Sequence, residues 1–173
     1  RARPEAAIAI LRRPQSVGEV AEDATIVQSM DAALAFGPRA AIIAGPAPSH
    51  VALASGFVAA GIPVLIEKPL SHDLTGLDDV AAAARRAGVP VMVGYNLRFM
   101  PSLAYLRAAV AGDAIGAIHY VRAEVGQYLP DWRPGADYRT GVSARAELGG
   151  GVLLELSHEL DYLYWMFGMP DRV

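Results

Sequence analysis

Apolar and polar positions along the chain change rhythm near residue 97. Before it, short unbroken apolar runs alternate with stretches of helical period. AAIAILRR (6–13), ATIVQS (24–29), AAIIAG (40–45), IPVLIEKP (62–69) and VPVMVGYN (89–96) read as strands. Between them, MDAALAFG (30–37), PSHVALASGFVAAG (48–61) and LTGLDDVAAAARRAG (74–88) read as helices. Gly37 and Gly61 close the first two, and Ser49 is expected to cap the second at its N-terminus. The third carries acids early and arginines late, the order a helix dipole favours. Unbroken apolar strands separated by helices predict an α/β fold with a parallel, doubly wound sheet buried on both faces.

Beyond residue 96 the pattern differs. PSLAYLRAAVAG (101–112) reads as a helix, and AIHYVRAEVGQY (117–128) alternates as a strand of a second, more open sheet. Residues 129–151 read as a long polar loop, and VLLELSHELDYLYWMFG (152–168) as one periodic helix. The pattern divides the chain into segments 1–98 and 99–173.

Composition changes this picture little. The 173 residues are 53% hydrophobic and 19% charged with a net charge of −3, which gives no reason to expect nucleic acid or an anionic membrane as partner. There is no cysteine, so disulfides, thiolate metal sites and a cysteine nucleophile are excluded. No apolar run reaches the ~18 residues of a membrane span. The 15 cations are fourteen arginines and one lysine, Lys68, so an amine is specifically wanted at that place.

In an open parallel sheet, ligands sit outside the carboxyl ends of the strands. Those ends are Leu11-Arg12-Arg13, AGPAPSH (44–50), Glu67-Lys68-Pro69 and GYNLRF (94–99). Three of the four are polar or rich in glycine and proline, which suits a crevice, though any surface loop shares that composition. Lys68 has its backbone restricted by Pro69, and its ammonium can polarise a substrate hydroxyl or carbonyl. The plainer reading is a solvated lysine paired with Glu67.

On the C-terminal helix, Leu156, Leu160, Leu163 and Phe167 form a core face, and Glu155, His158, Tyr162 and Trp165 another. The spacing lets the Glu155 carboxylate touch His158, orient it and raise its basicity for acid–base work, with Asp161 a turn further on. A structural hydrogen bond is the commoner fate of a lone helical histidine. Glu-x-x-His also serves di-iron bundles, but those need two copies, so no metal is expected. In the loop, Trp132, Arg133, Tyr138 and Arg139 can clamp a polar substrate such as a sugar or, equally, pin a surface loop.

AAIIAGPAPSHVALASGFVAAGIPVLIEKPLSHD (40–73), GYNLRFMP (94–101) and GGGVLLELSHELDYLYWMFG (149–168) together resemble the glucose–fructose oxidoreductase / inositol dehydrogenase / rhizopine-catabolism (Gfo/Idh/MocA) family. The resemblance implies a Rossmann domain for NAD or NADP, followed by an α/β domain with an open, mainly antiparallel sheet. Residues 1–98 would be a partial Rossmann domain and 99–173 a partial substrate and oligomerisation domain. It implies hydride transfer between nicotinamide and a carbon–oxygen centre of a sugar, nucleotide sugar or cyclitol. Lys68 matches the family's Glu-Lys-Pro lysine and His158 its general acid/base. Pro46, Ser49, His50, Glu67 and Asn96 fall on the cofactor side, Arg98 and Asp161 on the substrate side.

There are three departures. No G-x-G-x-x-G occurs, so the first strand and its glycine turn are expected upstream of Arg1, and the chain is expected to be clipped at both ends and inactive by itself. Most of the open sheet is not covered. And many members place an aspartate four residues before the histidine, where this chain has Leu154; Glu155, three before, orients His158 or binds substrate. Leu11-Arg12-Arg13 offers no acid for a ribose 2′-hydroxyl, which favours NADP over NAD. The expected partner is a small polyol or sugar, in a cytoplasmic homo-oligomer, dimer or tetramer. The alternative is a non-catalytic nucleotide-sensing or partner-binding protein on the same fold.

Overall fold

A computed structural model of the chain describes residues 6–12 and 22–173; Arg13, one of the two arginines expected at the cofactor, lies outside the described residues. The described residues of the first half form five short strands, with helices between β2 and β5: β1 (Ala9–Leu11), β2 (Thr25–Val27), α1 (Met30–Ala35), β3 (Ala41–Ile43), α2 (His50–Ala59), β4 (Val64–Ile66), α3 (Leu77–Ala87) and β5 (Val91–Val93). There follow α4 (Pro101–Ala111), α5 (Leu129–Trp132), α6 (Val152–Glu155) and α7 (Ser157–Phe167). Every described strand pair is parallel: β1 pairs with β2, and β3, β4 and β5 form a three-stranded sheet in that order. The fold is α/β, as the apolar runs require.

The local causes are visible. Ser29 caps α1, its Oγ accepting from the Ala32 N–H at 3.1 Å. Asp78 and Asp79 open α3 and Arg85 and Arg86 close it, with Gly88 in the left-handed conformation just beyond. One core gathers Ala33, Ile43, Ala54, Phe57, Val58, Val64, Ile66, Val80 and Ala84. Leu11 and Val27 pack against it, so both parallel sheets share this core.

Register sets the site. Ile43, Ile66 and Val93 stand side by side at the ends of β3, β4 and β5. The ladder continues one residue further, the Glu67 N–H donating to the Ile43 carbonyl and the Gly94 N–H to the Ile66 carbonyl, both at 2.8 Å. The exits at Ala44, Glu67 and Gly94 therefore open at one level on the carboxyl edge.

Four expectations are corrected. The periodic stretch 152–168 is two helices, because Leu156 leaves helical geometry (φ −99°, ψ 23°) between α6 and α7. Leu160 and Phe167 do not enter a core; they are 56% and 41% exposed, while Leu156 and Leu163 of the same face are only partly buried. Residues 117–128 form no strand, since neither described sheet offers them a neighbour to pair with, and 117–127 are all exposed. Ser49 does not cap α2; its Oγ turns back and donates to the Pro46 carbonyl at 2.7 Å, within a single 3₁₀ turn, Ala47–Ser49.

Candidate active site

A cleft of about 260 Å³ opens where the β3 and β4 exits meet the chain returning from the second half. Gly45, Pro46 and Ala47 form one wall, Lys68 and Pro69 another, and Leu148, Gly149 and Glu155 close it from the far side. The last wall sits close because its glycines permit it. A Cβ at Gly149 (φ +83°) would lie 2.8 Å from the Ala47 Cβ, and one at Gly150 would overlap the Val142 carbonyl oxygen. Both glycines are buried.

Lys68 enters this space from the end of β4. Its Nζ donates to the main-chain carbonyl of Glu155 at 2.9 Å, joining residues 87 apart in sequence. The Lys68–Pro69 peptide is cis. The Glu67 carboxylate folds back over the turn, one oxygen accepting from the Lys68 N–H at 3.3 Å, and lies against Gly94 of the neighbouring exit. Beneath the cleft His50, 1% exposed, fills the gap between two exits: Nε2 is 2.8 Å from the Gly45 carbonyl oxygen and Nδ1 3.0 Å from that of Pro69. Its ring thus spans the main chains of the β3 and β4 exits and forms part of the cleft floor.

His158, in the first turn of α7, reaches the same region. Burial, and beside it the Lys68 ammonium, hold its pKa below the ordinary histidine value, against the opposing pull of Glu159, Asp161 and Glu67. The ring is therefore mainly neutral near pH 7, with a lone pair to accept a proton. Tyr95 meets it edge-on, ring centroids 5.8 Å apart. Nδ1 of His158 and Oγ of Ser157 are buried without hydrogen-bond partners.

Glu155 does not orient His158 as the spacing had suggested. The break at Leu156 puts the two residues on different helices, so the one-turn geometry is lost, and His158 Nδ1 is unpartnered. What Glu155 contributes to Lys68 is its carbonyl. The basicity of His158 is lowered, not raised, because desolvation and a neighbouring ammonium outweigh the carboxylates.

Arg98 and Asp161 are brought together, with each other. Arg98 Nε and Nη2 donate to the two carboxylate oxygens of Asp161 at 2.8 and 2.6 Å. Asn96 opens the turn after β5 and stays exposed. Arg12 lies just past β1, its N–H donating to the Val27 carbonyl at 3.0 Å. Trp132, Arg133 and Tyr138 are not among the residues lining the cleft, which takes Val142, Leu148 and Gly149 from that loop instead. Arg139 lies over the Tyr138 ring, 5.6 Å from its centre. Sequence reasoning missed Tyr95, whose only signal was an aromatic beside Asn96 at a strand exit, and Arg107, which had none.

The chain fits the nicotinamide end of a dinucleotide: small residues and main chain at the strand exits, and Lys68 and His158 beside them. Pyrophosphate contacts are not assigned, because no glycine-rich phosphate turn occurs in the 173 residues. Among the described residues no three His, Asp or Glu side chains gather as a metal set, and no helix is long and apolar enough to cross a membrane.

Comparison with known proteins agrees with this architecture. Residues 3–95 match the Gfo/Idh/MocA oxidoreductase family with its NAD-binding Rossmann fold, and residues 103–173 match the family's C-terminal domain. The chain belongs to the Gfo/Idh/MocA oxidoreductase family. It is 30% identical over 157 residues to a myo-inositol dehydrogenase of Streptomyces leeuwenhoekii, covering 90% of this chain and 45% of that protein. Among solved structures, GenD2 from gentamicin A biosynthesis in complex with NAD is 29% identical with a TM-score of 0.66, over 85% of this chain and 41% of that one. The WlbA dehydrogenase of Bordetella pertussis, in complex with NADH and UDP-GlcNAcA, is 25% identical with a TM-score of 0.66, over 84% and 42%. The chain thus spans less than half the length of each of these three relatives.

Proposed function

We propose that the protein is an NAD(P)-dependent oxidoreductase that moves a hydride between nicotinamide and a hydroxyl or carbonyl carbon of a sugar, nucleotide sugar or cyclitol. The observation that carries this reading is the only lysine, tied to the Glu155 carbonyl at the carboxyl edge of a parallel sheet, standing close enough to a half-buried histidine to lower its pKa. When bound, nicotinamide supplies the carbon that accepts or gives the hydride. The chain supplies the rest. His158 takes the proton from the substrate hydroxyl, for which a neutral imidazole is required. Lys68, held by the Glu155 carbonyl, has two remaining N–H donors to stabilise the negative charge that develops on the substrate oxygen. Pro46, Ser49, Glu67 and Asn96 border the cofactor at the strand exits. His50 supports it from below.

The sugar or cyclitol class rests on the relatives' substrates. NADP is favoured because the β1 exit carries Arg12 and no acid, a preference read directly from the ratio of NADPH and NADH dissociation constants. The cytoplasmic homo-oligomer belongs to the same proposal, with light scattering on the full-length protein as its check.

The decisive experiment is Lys68→Ala and His158→Ala in the full-length protein, assayed against a polyol and sugar panel with both cofactors. Turnover is expected to fall ~100-fold to ~10,000-fold, the span of acid–base contributions, with cofactor affinity by fluorescence changed little. Wild-type protein that binds cofactor yet turns over nothing would favour the nucleotide-sensing alternative. Variants that lose cofactor binding but react normally at saturation would remove Lys68 and His158 from the chemistry.

A further inference from the structure

The turn after β5 touches α7 at two heights with matched spacing. Tyr95 lies edge-on to His158, and Arg98, three residues on, pairs with Asp161, three residues on from His158. Both Asp161 oxygens accept from the Arg98 fork, and the Asp161 side chain is only 8% exposed. One turn beyond, Trp165 lies near two cations: Arg107 of α4 at 4.6 Å from its ring centre and Arg98 at 5.9 Å. Arg107 Nε also donates to the Trp165 carbonyl at 3.3 Å. Of α7 only Ser157 is fully buried, the rest of the helix resting half-exposed against α4 and the turn after β5. A helix with no fully buried apolar side chain takes much of its position from its polar ties.

We propose that Arg98 and Asp161 are a positioning pair that fixes α7, and with it His158, against the β4 and β5 exits. We read them as holding each other rather than substrate, the role sequence alone had suggested, because Nε, Nη2 and both carboxylate oxygens are engaged within the pair. A bidentate guanidinium–carboxylate pair sets distance and orientation together, which a lysine cannot reproduce. The proposal rests on the reading of His158 as the acid–base group.

Two measurements separate it from that reading. The first is an NMR titration of the His158 ring, assigned with His158→Gln, in wild type, Arg98→Lys and Asp161→Asn, and it needs no turnover. The charged groups acting on the ring are Lys68, Glu67, Glu159 and Asp161. Asp161→Asn is expected to lower the His158 midpoint further, and Arg98→Lys to broaden or shift the ring resonances although its charge is kept. The second is kinetic, in full-length protein. Both variants are expected to lose about tenfold to 100-fold in kcat, the scale of a misplacement near 1 Å, with each KM changed less than about twofold. The double variant Arg98→Met/Asp161→Leu should be no worse than the more impaired of Arg98→Met and Asp161→Leu alone. His158 resonances that ignore both variants would overturn the proposal even if wild-type turnover is absent. So would losses confined to substrate KM, additive in the double variant, which would restore the substrate-contact role.

Discussion

The two halves of the molecule are held by different forces. From Ala33 to Ala84 the chain buries a continuous apolar core around β3 and β4. From Pro101 to Val173 no large apolar side chain is fully buried, and Tyr105, Tyr120, Tyr128, Val152 and Leu153 are 69–79% exposed. The second half is attached by a few directional contacts: the Lys68 ammonium on the Glu155 carbonyl, the Arg98 fork on Asp161, and the seat of Gly149 on Ala47. All three lie at or near the carboxyl edge of the sheet. The half with the apolar core thus supplies the ledge, and the polar ties bring His158 to it. The two hollows teach the same lesson. An apolar cavity of about 570 Å³ lies beside α3 among Val80, Ala84 and Val91, larger than the candidate cleft but without its convergent polar groups.

If this contrast holds, substitutions should sort by half. The largest effect is expected from Ile66→Ala in the centre of β4, where the side chain is 0% exposed; a loss of ~4 kcal/mol in urea unfolding follows from deleting a buried isoleucine side chain. Gly150→Ala comes next. Its methyl would overlap the Val142 carbonyl, so loop 142–151 must move, at ~2 kcal/mol and with faster proteolysis in that loop than in wild type.

A smaller effect should come from pH. His158 has a lower pKa folded than its ordinary 6.5, so the unfolded chain takes up the proton first as pH falls. Stability from this group is present above about pH 6.5 and is lost as pH falls through the folded value. His158→Gln should flatten that limb of the thermal-melting profile. Leu160→Ala is expected to be smallest. At 56% exposure on α7 it should change stability by no more than ~0.5 kcal/mol; a loss of 2 kcal/mol would show that the second half has an apolar seat after all.

Legibility in the sequence followed the same division. The five strands and the helices between them could be read because burial on both faces leaves unbroken apolar runs such as VLI at 64–66 and AII at 41–43. Lys68 stood out by being the sole lysine, and His158 by its periodic setting. What sequence could not supply was pairing in space. Leu156 carries no helix-breaking signal, so the kink that parts Glu155 from His158 was invisible. Nor does spacing within one helix reveal that Asp161 looks to Arg98, 63 residues away. Residues 117–128 alternate as a strand should, but alternation prescribes a face, not a neighbour.

The anchor of Lys68 has a consequence for how this position in the chain can drift. Its acceptor is a main-chain oxygen, and any amino acid at position 155 presents that oxygen. The Glu155 N–H is in turn tied to the Gly151 carbonyl at 3.0 Å, so proline is the one residue that the backbone there disfavours. A saturation library at 155 should therefore be broadly tolerant toward retention of the lysine tie. The side chain at that place can therefore change without disturbing the amine's tie.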